Sequence, residues 1–111
     1  MSGFDPIIAL NRHIALLSLL KAAGQEVKDS KGIIHSISKV TGRFIIRKLK
    51  QSRASMKDNK MWVQDDPIGD GRYQYTLFGR RELYYISETD LKLHTGMMLR
   101  EMEQEIENLS K

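Results

Sequence analysis

Residues 33–55 read IIHSISKVTGRFIIRKLKQSRAS, and the interpretation of this stretch decides the fold. Its first part carries Ile33, Ile34 and Ile37 at helical spacing after Asp29 or Ser30, either of which can cap a short helix. Gly32 weakens the start of that helix. Ser38-Lys39-Val40-Thr41 interrupts the apolar pattern, and Thr41 can cap a further helix over residues 42–55. In that helix Ile45 and Leu49 are four apart and share a face, while Arg43, Arg47 and Lys50 follow at i, i+4 and i+7 along a different one. An apolar inside and a basic outside fit a helix whose exposed side meets phosphate.

The charge around this helix is concentrated. The chain has 111 residues, 18 Lys+Arg against 14 Asp+Glu, and a net charge of only +4. Residues 39–60, however, hold Lys39, Arg43, Arg47, Lys48, Lys50, Arg53, Lys57 and Lys60 against Asp58 alone. Such a local excess is a strong field for a polyanion. The C-terminal segment is the reverse, with Glu101, Glu103, Glu105 and Glu107 alternating, which points to two surfaces with different work.

On the N-terminal side, Asp5-Pro6 is a helix start, a capping carboxylate followed by proline at the first helical position. Ile7, Leu10, Ile14, Leu17 and Leu20 then recur near helical period until Gly24, and residues 25–28 form a polar connector. On the C-terminal side the period changes to alternation. Residues 61–64 and 72–77 read as two strands, joined by the turn-rich tip Asp65-Asp66-Pro67-Ile68-Gly69-Asp70-Gly71. Tyr73 and Tyr75 are assigned to the hairpin core, and Trp62 either anchors the hairpin or sits in a dimer seam. Thr76 can cap a following helix holding Leu83, Tyr84 and Ile86, and Ser87 or Thr89 opens a last helix of about twenty residues. There Leu99, Met102, Ile106 and Leu109 have the 3-4-3 spacing of a seam, too short for a free coiled coil and suited to packing on a second protomer.

This order of elements resembles the winged helix-turn-helix DNA-binding regulators. The stretch Gly71-Arg72-Tyr73-Gln74-Tyr75-Thr76-Leu77-Phe78-Gly79-Arg80-Arg81-Glu82-Leu83 is similar to the "G-R-x-Y-x-L/T-x-x-G-x-x-x-L" segment that closes the wing in MarR-, PadR- and ArsR-like members. Ile45-Ile46-Arg47-Lys48-Leu49 is similar to their "V-x-R-x-L" recognition-helix pattern. The resemblance implies an α+β winged-helix domain over residues 1–86, with three helices and a β-hairpin wing. Residues 87–111 would form a C-terminal dimerisation helix.

The function it implies is sequence-specific binding of double-stranded DNA by a homodimeric transcriptional regulator. Recognition helices would enter successive major grooves ~34 Å apart. Arg43 and Arg47 are then candidates for reading guanine, with Lys39, Lys48, Lys50 and Arg53 on phosphates, and the Thr41 hydroxyl and Arg72 also contacting DNA. Two departures stand out. The tip carries Asp65, Asp66 and Asp70, which phosphates repel, and the turn before residue 42 lacks the glycine many members use.

Other classes compete with that reading. The fold would also serve a DNA-coating partition or architectural adaptor whose acidic helix recruits a protein, or a protein-binding winged helix, phage- or plasmid-encoded. No catalytic or metal motif emerges from His13, His35 and His94, so neither an enzyme nor a cofactor is expected. The absence of cysteine fits a reducing, cytoplasmic compartment. The apolar run at residues 7–23 is broken by Asn11, Arg12 and His13, so neither a membrane span nor a secretory signal is expected.

Overall fold

A computed structural model describes residues 3–109. The chain is α+β, in the order α1 (Pro6–Asp29), α2 (Gly32–Asp58), β1 (Met61–Val63), β2 (Arg72–Leu77), β3 (Arg80–Tyr85) and α3 (Glu88–Leu109). The strands form one antiparallel sheet in the order β1-β2-β3. Three helices with a small antiparallel sheet are compatible with a winged-helix-like layout, yet two elements differ from the sequence expectation.

The first difference is in α2. The break expected at residues 38–41 does not exist, and residues 32–58 form one continuous helix. Ser38, Ile45, Leu49 and Met56 are buried, spaced seven, four and seven apart, so a single seam runs through the segment read as a turn. Thr41 caps nothing. It sits mid-helix, and its hydroxyl donates to the Ile37 carbonyl oxygen at 2.9 Å. Gly42 costs the helix about 1 kcal/mol relative to alanine, less than the burial of Ile45 and Leu49 returns.

The second difference is β3. Residues 80–85 form a strand rather than a helix, pairing with β2 over the register Arg72↔Tyr85 to Leu77↔Arg80. The two strands are joined by Phe78 and Gly79, both at positive φ (51° and 80°), the two-residue turn whose twist matches a hairpin. The expected hairpin is also present, with Met61↔Leu77 and Val63↔Tyr75 in register. Met61, Val63, Tyr73 and Tyr75 point to the buried face, as alternation requires.

α1 is the central helix, and it runs past Gly24 to Asp29. Asp5 caps it, its Oδ1 accepting from the Ile7 and Ile8 amides at 2.9 and 3.3 Å, with Pro6 in the first turn. Leu10 and Ile14 pack with the sheet residues and Met56, whereas Ala15 and Leu16 join Ile45, Leu49, Met98 and Met102 in a second cluster among the helices. Burial on two sides explains why α1 is apolar nearly all round. Its mean hydropathy of 1.3 over an 18-residue window makes it long and apolar enough to cross a membrane by length and composition, contrary to the sequence expectation. In the fold its middle turns are core.

α3 starts at Ser87, whose Oγ accepts from the Asp90 amide at 3.1 Å. It docks on α1 through Met98 and Met102, both buried. Met102 is therefore core of its own chain, not a residue free for a dimer seam. Leu99 and Ile106 are exposed, and the Leu109 side chain lies outside the described residues.

Gly71 holds the sheet to the start of α3. It has φ +72°, its carbonyl accepts from the Ile86 amide at 2.8 Å, and a methyl group there would overlap the Ile86 carbonyl oxygen. Gly71→Ala is expected to destabilise the protein by about 2 kcal/mol, combining left-handed strain with a displaced backbone. A urea midpoint unchanged from the parent would show that this junction gives way freely.

Candidate nucleic-acid interface

The continuous α2 sorts its seven cations from Lys39 to Lys57 into different environments. Lys39, Arg43, Lys50 and Lys57 are separated by four, seven and seven positions, which places them within ~40° of one another around the helix, over a length of ~27 Å. All four are exposed, as is Arg47, about 60° to one side. None of the five is in an ion pair among the described residues. No carboxylate precedes Asp58 on this helix, so the flank is uniformly positive.

Three expected DNA contacts are engaged elsewhere. The Lys48 side chain is 16% exposed and is held between Glu105 and Glu101, its Nζ 3.9 Å from the latter and 5.9 Å from the centre of the Phe44 ring. Arg53 donates to Asp65 Oδ2 at 2.8 Å. That contact ties the acidic tip of the first hairpin back onto α2. Thr41 is half-buried with its hydroxyl committed to Ile37, and it lies far from any helix N-terminus, so no free amides accompany it. Arg72 is exposed on β2, not on α2.

The acidic run of α3 divides in the same way. Glu101 accepts from Arg12 Nη2 at 2.9 Å and Glu105 pairs with Lys48, so both clamp α3 to the other helices. The Arg12 hydrogen bond, with the charges of Arg12 and Lys48, holds the Glu101 carboxyl below its usual range. Glu103 and Glu107 are exposed.

Below the Arg53–Asp65 pair lies a group that sequence spacing did not indicate. His13 is 0% exposed; its Nδ1 is 2.9 Å from Ser52 Oγ, and its Nε2 is 3.7 Å from Asp65 Oδ1 with no hydrogen-bond partner. Serine, histidine and aspartate thus fall in line, but the chemistry of a nucleophile does not follow. Burial, with the Arg53 charge, lowers the His13 pKa from 6.5 to about 4, against the opposing pull of Asp65, which makes it a weak base. Asp65 is taken by Arg53, and the Ser52 amide, inside α2, is spent on the helix ladder rather than available to an oxyanion. The cluster reads as a buried support for the α2–tip contact. Its members are 39 and 13 residues apart in sequence, and the packing of α1 against α2 with the return of the tip onto both brings them together.

Between the end of α2 and β1 is a cavity of 470 Å³ with Met56 and Met61 among its lining and Arg53, Lys57 and Trp62 around it. It leads from the last cation of the strip to the edge of the sheet. Among the described residues no cluster of His, Cys, Asp or Glu could hold a metal ion. No protein family, curated protein or solved structure matches this chain.

Proposed function

We propose that this protein binds double-stranded DNA through the exposed cationic flank of α2, in the manner of a small transcriptional regulator. The observation that carries the reading is the row Lys39, Arg43, Lys50 and Lys57, with Arg47 beside it: exposed, unpaired among the described residues and free of interspersed carboxylates. A helix of this width fits a major groove ~12 Å across, and a straight row of cations follows the phosphates at its edge. Because α2 is unbroken there, the contact is along the side of the helix rather than through an N-terminal end. Arg43 and Arg47 have the planar forks that suit guanine, whereas Lys39, Lys50 and Lys57 act as point charges on phosphate.

The regulator reading includes two copies on an inverted repeat. The exposed apolar surface that suits pairing is Leu99 on α3 and, more extensively, Ile33, Ile34, Ile37 and Val40 on α2, the latter four 56–77% exposed. The test is a selection of bound fragments from random duplex DNA at two salt concentrations. Three lysine–phosphate contacts from each of two protomers, six in all, give a slope of log K against log salt near −5.4. The expected result is that slope with a symmetric enriched site. A slope near zero overturns the reading.

A further inference from the structure

We propose that the outward face of the sheet binds single-stranded DNA, as a surface separate from the α2 flank. The strand register sets its composition. On β1, β2 and β3 the residues alternating with the buried tyrosines are Trp62, then Arg72, Gln74 and Thr76, then Arg81, Leu83 and Tyr85. Trp62 is 59% exposed, Leu83 64% and Tyr85 63%. Large side chains of this kind on a three-stranded sheet normally face a core, and here the core lies on the other side.

Charge selects the occupant. Arg72 and Arg81 are both exposed on this face, and no carboxylate belongs to it: Glu82, the only acid in the three strands, pairs across to Tyr75 on the buried face and accepts from its hydroxyl at 2.8 Å. Each ring has a guanidinium in its own cross-strand row, Tyr85 opposite Arg72, and Trp62 opposite Thr76, which is opposite Arg81. Four residues along the strands and two strands across separate the rings by ~16 Å, a span of a few nucleotides of extended strand. The Tyr85 ring lies beside Gly71, where no Cβ intervenes.

Aromatic faces for bases with arginines between them for phosphates make a stacking platform, and it requires unpaired bases, which a duplex does not offer. An apolar protein partner would leave two guanidinium groups buried without countercharge.

Trp62 is the sole tryptophan, so its emission reports on this face directly. The experiment titrates the full-length protein with an oligothymidine of about twelve nucleotides, within the usual site size of such surfaces. The expected result is saturable quenching. Tyr85→Ala and Arg72→Ala each weaken it about tenfold, while Tyr85→Phe, which keeps the ring, stays within about twofold of the parent. Both altered side chains are exposed, and circular dichroism confirms that each variant folds.

Exchanging Arg43 and Lys50 for glutamate separates the two surfaces, weakening duplex binding about a thousandfold and leaving the quenching intact. Loss of duplex binding in the parent would sink the α2 reading alone. Unchanged emission with oligothymidine, equal quenching by poly-glutamate, or quenching lost with the α2 cations but not with Tyr85→Ala would each overturn the assignment of this face.

Discussion

Replacing Arg43 and Lys50 together with glutamate is expected to weaken duplex binding about a thousandfold at moderate salt. Lys50 loses a phosphate contact worth roughly one decade of affinity, Arg43 a guanine contact worth about 1–3 kcal/mol, and a carboxylate in either place adds repulsion. Both side chains are exposed, so the fold tolerates the exchange. The matched controls are the cations that the structure takes out of play. Lys48→Ala and Arg53→Ala are expected to leave affinity within about threefold, because Lys48 is committed to Glu105 and Glu101 and Arg53 to Asp65. Gel-shift titrations of the three variants decide it. Equal losses for the strip and for the ion-paired cations would mean that the binding surface is not the α2 flank.

That contrast also marks where sequence reasoning reached its limit. Eight cations in 22 residues are visible without a structure, and so is a basic helix face opposite Ile45 and Leu49. Which cations remain free is decided by partners remote in the chain: Glu105 reaches Lys48 across 57 positions and Glu101 reaches Arg12 across 89. Helical periodicity orders residues on one helix and says nothing of what faces them. The alternation of Glu101, Glu103, Glu105 and Glu107 marks an acidic surface, but not that Glu101 and Glu105 are spent holding the three helices together.

The two departures in secondary structure have the same origin. Ser38-Lys39-Val40-Thr41 is a weak helix former, and locally a turn is as good a reading; burial of Ser38 on the seam with Ile45 outweighs it. Thr76 followed by a run with leucine and tyrosines invites a helix, yet Phe78-Gly79 supplies a two-residue hairpin turn. With residues 72–77 already a strand, 80–85 complete the sheet by pairing with it. Asp5-Pro6, the strand alternation of Tyr73 and Tyr75, and the α3 start at Ser87 were legible because their signals are local: a cap, a period of two, a second cap. The outward sheet face was not, since Arg81, Leu83 and Tyr85 share a side with Trp62 only once β3 is known to be a strand.

His13 gives a prediction that depends on no reading of function. Its pKa in the folded chain is about 4 against 6.5 in the open chain, so between these values the unfolded state takes up a proton that the native state refuses. Stability from this residue is complete above about pH 6.5, declines as pH falls towards about 4, and then levels off, a loss of about 3 kcal/mol. The groups facing the ring act in opposite senses: burial and Arg53 resist protonation, and Asp65 favours it.

Glu101, whose carboxyl is held below its ordinary 4.5, loses its contribution only at the acid end of that window or beyond, so the two processes separate along the pH axis. Urea unfolding at about pH 7.5, 6 and 4.5 measures the decline. His13→Leu keeps the volume and has nothing to titrate, and its stability is expected to be flat over the same interval. An equal acid-side loss in that variant would place the titrating group elsewhere and make the buried ring a bystander.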